Sequence, residues 1–207
     1  LGYVYKNGLL TAKLGYSKVT DIISDVLTQD ETTTTSYVQP QNLASQTNLL
    51  LQVNLNVSLR KWWSTQVFLS GNNQQFKGML SGYYYETNFS SFNININNQF
   101  KFGKGWSGEL GGFYQHKNLF SGNSIIQPFG MLNAGISKQV LNNKGTIKLN
   151  ARDILASRKI QIDQNYHEYE SYFTNRIDSR AITLGFTWRF AKNEKNVLQQ
   201  RSSRASA

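Results

Sequence analysis

Residues able to do chemistry are few in this chain and they do not cluster. There are two histidines and no cysteine. His167 stands in Tyr166-His167-Glu168-Tyr169-Glu170, where an imidazole beside two carboxylates could hold a metal or a ligand. The same triplet is equally an ordinary solvated loop, and loop solvation is the reading we adopt. His116 has only Lys117 as a charged neighbour in sequence and reads as an interface residue. A zinc site needs several Cys, His or acidic ligands at suitable spacing, and two separated histidines do not supply them. Serines are plentiful, but no Ser, His and acid combination stands out as nucleophile, base and orienting group. Asp21, Asp25, Asp30 and Glu31 gather around one polar stretch and could attract calcium, although solvation explains them as well. No catalytic residue, metal site or cofactor is therefore expected, and the chain does not read as an enzyme.

The elements that carry these residues have a uniform pattern. In Arg180–Phe190 the residues Ile182, Leu184, Phe186, Trp188 and Phe190 alternate with Ala181, Thr183, Gly185, Thr187 and Arg189. Side chains of a strand alternate between its faces, so one face is apolar and the other small or polar. The same alternation recurs along the chain. Leu49, Leu51, Val53, Leu55, Val57 and Leu59 oppose Gln52, Asn54 and Asn56, and Phe92, Ile94, Ile96, Phe100 and Phe102 oppose Asn93, Asn95 and Asn97. Leu10, Ala12, Leu14 and Tyr16 oppose Lys13, while Trp106, Leu110 and Tyr114 oppose Glu109 and Phe113. Such a pattern is that of an all-β, membrane-spanning antiparallel barrel, apolar toward lipid and polar toward the lumen.

Bulk properties permit this. Hydrophobic residues make up 39% and mean hydropathy is −0.46, but a barrel needs only half of each strand to be apolar. No apolar run approaches the roughly 18 residues of a membrane helix. The net charge of +10 raises nucleic-acid binding as a possibility. That reading fails because the aromatics and the Lys and Arg residues share no continuous strand face.

Nine strands are expected, in Leu1–Tyr5, Leu9–Ile23, Tyr37–Leu59, Trp63–Ser70, Tyr83–Phe102, Trp106–Asn118, Pro128–Val140, Thr146–Ile154 and Arg180–Phe190. Short turns at Lys6–Gly8, Arg60–Trp62, Gly103–Gly105 and Leu141–Lys144 alternate with long loops at Asp25–Ser36, Gly71–Gly82, Leu119–Gln127 and Leu155–Ser179, with parts of Gly71–Gly82 open to extending the strands beyond the membrane. In outer-membrane barrels the short turns are periplasmic. All four tryptophans, Trp62, Trp63, Trp106 and Trp188, fall at the short-turn end, joined by Phe100, Phe102 and Phe190, as one aromatic girdle. The lumen-facing polar set is Gln52, Asn54, Asn56, Asn93, Asn95, Asn97, Glu109, Lys148 and Arg152, with Lys13 beside it. Asp153 falls on the lipid-facing register and is expected at the outer rim or a bulge. Residues 1–190 form the barrel portion, and residues 191–207 form a polar periplasmic tail. The chain starts at Leu1 inside a strand-like pattern and reads as the C-terminal part of a longer protein.

Leu9–Ile23 with Gly15-Tyr16-Ser17-Lys18-Val19-Thr20-Asp21-Ile22-Ile23, the Lys61–Ser64 turn, Leu149–Leu155 and Arg180–Phe190 carry a resemblance. The chain resembles the C-terminal end of the barrel of TonB-dependent receptor-like outer-membrane proteins, in particular the outer membrane β-barrel family proteins. The resemblance implies the last nine or so strands of a barrel of about 22 strands. It implies uptake of a scarce or large solute, or else a scaffold barrel within an outer-membrane complex. Implied partners are outer-membrane lipid, the rest of the same barrel chain, other subunits of an outer-membrane complex and a periplasmic energy-coupling protein.

Overall fold

A computed structural model describes residues 1–30, 32–33, 35–80, 83–121, 124–166 and 169–190. The polar tail expected over residues 191–207 lies outside the described residues, as do Glu31, His167 and Glu168. The strands are β1 (Gly2–Tyr5), β2 (Leu10–Gln29), β3 (Ser36–Arg60), β4 (Trp63–Leu80), β5 (Tyr83–Gly103), β6 (Trp106–Gln115), β7 (Asn118–Ser121), β8 (Ser124–Ile126), β9 (Phe129–Val140), β10 (Gly145–Arg152), β11 (Lys159–Tyr166), β12 (Tyr169–Arg176) and β13 (Ala181–Trp188). Nine pair in one sheet in the order β1-β2-β3-β4-β5-β6-β9-β10-β13, and each carries one of the nine segments expected from alternation. Every pairing is antiparallel. The sheet is open, with β1 and β13 at its edges.

Short turns hold the sheet together at one end. Gly103, Lys104 and Gly105 all take positive φ, at 83°, 50° and 77°. Two glycines around one lysine suit that backbone, because glycine enters the left-handed region without steric cost. Directly opposed residues on antiparallel strands share a face, so the register sorts the side chains. One row runs Leu10–Leu55–Val67–Ile96–Gly112–Leu132, and the next runs Ala12–Val53–Leu69–Ile94–Tyr114–Gly130. On the other face run Thr11–Asn54–Phe68–Asn95–Phe113 and Lys13–Gln52–Ser70–Asn93–Gln115. The apolar row stays in contact with the outside even at the closing strand, where Ile182 and Leu184 are 78% and 73% exposed.

The structure corrects the loop boundaries. Strands β2 and β3 take up half of the Asp25–Ser36 stretch, and β4 runs on to Leu80 through most of Gly71–Gly82. Within Leu119–Gln127 and Leu155–Ser179 lie two hairpins, β7–β8 and β11–β12, which join as a second sheet in the order β12-β11-β8-β7. This sheet rests on the upward extension of β2 to β5. Phe76 and Leu119, 8% and 6% exposed, form the buried core of the contact, with Ile22, Phe89 and Ile125 packed around them. Phe76 and Phe89 lie on the strand face that carries Asn54 and Asn95 further down, so the second sheet sits over the polar side. Asp21 has a φ of 57°, and past this left-handed residue Ile22 turns into the Phe76 core while Ile23 is exposed.

The apolar face is expected to meet lipid. Val53→Arg should then destabilise the assembled protein by about 2–4 kcal/mol, the cost of an arginine near the bilayer midplane. Asn54→Arg, on the opposite face, should cost much less. Urea unfolding of both variants in lipid vesicles measures the difference, and equal costs would contradict the assignment.

Candidate functional site

The polar face of the large sheet carries several hollows. A hollow of about 580 Å³ is lined by Asn54 of β3, Gln66 and Phe68 of β4, Asn95 and Asn97 of β5, Glu109 and Phe113 of β6, Asn133 of β9, and Asn150 and Arg152 of β10. Of the polar residues expected from sequence, Asn54, Asn95, Asn97, Glu109 and Arg152 meet here. Asn56 lines a smaller hollow of about 150 Å³ nearer the short turns, shared with Asn97. Lys148 lines another of about 200 Å³ beside Glu109. Gln52 and Asn93 both oppose Ser70, one row beyond Asn54 toward the long loops, and do not line the main hollow. Gln66, Phe68 and Asn150 were not singled out from sequence, although strand alternation places them on the same face as Asn54 and Lys148.

Neutral amides dominate the lining. Each offers one acceptor and two donor hydrogens, so a row of them can hold a polar solute without selecting its charge. Asn150 Oδ1 is buried and has no hydrogen-bond partner among the described residues. The charged groups of the face are partly neutralised, since Lys148 Nζ lies 2.8 Å from Glu109 Oε1. Both side chains are nearly half exposed, so this pair adds little stability. Gly135 makes room for it: a Cβ there would fall 2.8 Å from Glu109 Oε1 and 2.6 Å from Asn150 Oδ1.

At the short-turn end the aromatic residues make two separate groups of ring contacts. Trp62, Trp63 and Phe100 stack with centroids 6.0–6.3 Å apart, and Phe100 stacks on Phe102 at 6.0 Å. Trp106 carries Lys138 Nζ 4.9 Å from its ring, and Trp188 sits 6.2 Å from Phe190. Asn98 is a polar residue on the apolar face near this band, directly opposite Thr65. It accepts from Trp63 Nε1 at 3.0 Å and donates to the Leu110 carbonyl at 3.3 Å, so its amide is satisfied.

Of the residues that suggested chemistry, Asp30 and Glu170 are engaged by neighbours, whereas the buried Nδ1 of His116 has no hydrogen-bond partner among the described residues. His116 stacks on Phe92 with centroids 4.9 Å apart. Asp30 accepts from Thr32 through both the backbone N–H at 2.8 Å and the hydroxyl at 2.6 Å, and the Thr32 hydroxyl above all holds its carboxyl below the ordinary value. Glu170 accepts from the Tyr172 phenol at 2.6 Å. No group of three potential metal ligands occurs among the described residues.

Asp153, expected at the outer rim or a bulge, ends β10 in a left-handed bend with φ 48° and is 1% exposed. Its carboxylate accepts from the Ser179 hydroxyl, from the Ser157 N–H at 3.0 Å and hydroxyl at 3.2 Å, and from the Arg158 N–H at 3.4 Å. Its own N–H donates to Asn133 Oδ1 at 2.9 Å. The carboxyl is held below its ordinary value, chiefly by the Ser179 hydroxyl and against the opposing effect of burial. One side chain thus ties the chain leaving β10 to the chain entering β13.

Residues 1–188 match the family described as "Outer membrane protein beta-barrel family". No curated protein and no solved structure matches the chain.

Asp153→Ala should leave the large sheet intact but loosen the β11–β12 hairpin. Limited proteolysis of intact cells should cut between residues 155 and 180 faster in the variant than in the wild type. Because the folded carboxyl titrates below its ordinary value of 3.8, its charge contributes fully above that pH and the contribution is lost as the pH falls through the lowered pKa. Wild-type protection should therefore be constant from neutral pH down to about pH 4.

Proposed function

The chain belongs to the outer membrane protein beta-barrel family, which places it in the bacterial outer membrane, and from that premise we propose that it forms part of a TonB-dependent receptor-like transporter. The apolar face meets lipid, the polar face lines the lumen, and the short turns lie in the periplasm. In this reading the nine-stranded sheet is one wall of a larger barrel of about 22 strands, closed by further strands against the β1 and β13 edges. The observation that carries the reading is the hollow lined by Asn54, Gln66, Asn95, Asn97, Asn133 and Asn150. A solute path needs such a surface, because each water that leaves a polar solute must be replaced by another partner. Uptake of a scarce or large solute then draws on a periplasmic energy-coupling protein.

Deletion of the gene should slow growth when a solute is limiting, and the wild-type protein should restore it. A variant that fills the hollow, Asn97→Trp with Asn150→Trp, should assemble yet fail to restore growth. Full restoration by an assembled, blocked variant would favour the scaffold role. Cysteines placed at Asn143 and at Thr174 test orientation: on intact cells an impermeant maleimide should label only the second.

A further inference from the structure

We propose that the cleft at the base of the β11–β12 hairpin binds a phosphate-type oxyanion. This cleft lies at the long-loop end of the sheet, beyond the Arg152 end of the polar hollow, and the proposal stands whether or not the barrel transports. Its volume is about 670 Å³, and its lining includes Arg158, Lys159, Arg176 and Arg180 together with Asp153 and Asp178. Asp153 is not free to neutralise the cations. Its two oxygens are engaged by Ser179, Ser157 and the Arg158 backbone, and it is almost fully buried. Asp178 is then the one carboxylate of the lining left to face four cations.

Three observations say that the excess charge awaits a ligand. First, the ion pairs among the described residues are Lys77–Glu86 and Lys148–Glu109, so none of the four cleft cations has an acidic partner there. Second, Lys159 and Arg176 are direct cross-strand partners. Like charges placed opposite each other weaken a strand pair, and an anion between them reverses the sign of that interaction. Third, the walls are fixed in place. Asp153 grips Ser157 and Arg158 on one side and Ser179 on the other, and Arg152 Nε donates to the Ser179 carbonyl at 3.0 Å. Arg158 and Arg180 are therefore carried on backbone that is already tied together, and little order has to be created when a ligand arrives.

Three guanidinium groups and one ammonium suit a tetrahedral oxyanion, since each guanidinium can donate a planar pair of hydrogens to two oxygens. The phosphate could belong to a lipid headgroup of the surrounding leaflet or to a soluble molecule. The full-length protein in a zwitterionic detergent can be titrated calorimetrically with inorganic phosphate. The same protein in phosphatidylcholine nanodiscs, with and without phosphatidic acid, can be assayed for retained lipid by native mass spectrometry. One or both probes should bind, and Arg158→Gln combined with Arg176→Gln should weaken that binding at least tenfold. Asp178→Asn, which removes the competing carboxylate, should tighten it. Binding of phosphate alone assigns the site to a soluble anion, and retention of phosphatidic acid alone assigns it to a headgroup; either supports the proposal. Failure of both probes to bind, or unchanged binding in the double variant, overturns it. Should the double variant not assemble, Asp178→Asn decides, since unchanged or weaker binding in that variant also overturns it.

Discussion

Everything in this protein depends on the ladder of backbone hydrogen bonds between neighbouring strands. In hydrocarbon there is no water to satisfy an N–H or a carbonyl, and each orphaned group costs several kcal/mol. The nine-stranded sheet meets this demand by pairing each strand with its neighbour in sequence, apart from the steps from β6 to β9 and from β10 to β13. Both steps skip only the strands of the second sheet. Between the β1 and β13 edges the backbone is committed to the ladder, and side chains are left to decide which face is which. A polar group on the apolar face must then bring its own partner, as Asn98 does with Trp63.

The strands are unequal in length, and the inequality has a use. Strands β2 to β5 run for 20, 25, 18 and 21 residues, whereas β6, β9, β10 and β13 run for 10, 12, 8 and 8. A bilayer needs only about 9–11 tilted residues per strand. The surplus on one side stands as a wall, and the second sheet leans on it through Phe76 and Leu119. Two hairpins whose hydrophobic content is too small to fold alone thereby gain a surface to bury against.

Much of this was legible in the sequence, because period-two alternation is a direct consequence of strand geometry. The nine strands of the large sheet, the two faces and the short turns all follow from it, as does the gathering of Trp62, Trp63, Phe100 and Phe102. What was not legible lies above the large sheet's regular part. The β7 and β8 strands are 4 and 3 residues long, too short for a period to register. The upper part of β4 is rich in Asn and Gln on both faces, for instance Asn72, Asn73, Gln74 and Gln75, and so reads as a loop. These amides are held by ladder partners instead, with Asn73 Nδ2 donating to Asn88 Oδ1 at 2.7 Å. Asp153 broke the expected face pattern because its role is set by Ser157 and Ser179, the latter 26 positions away. Of the hollow, the amides on β3 and β5 were visible, but only the register could show which of them share one space.

The left-handed residue at Asp21 gives β2 a change of phase partway along its length. Below it, Leu10, Ala12, Leu14 and Tyr16 point to the apolar side; above it, Ile22 points to the opposite side. The same run of alternating letters therefore obeys two different solvents, bilayer on one side of the kink and a packed protein roof on the other. A strand without such a joint would force both to share a single parity, so that any change of the roof would be felt in the membrane. With the joint, the two halves are uncoupled, and the roof can be rebuilt while the lipid-facing pattern beneath it stays as it is.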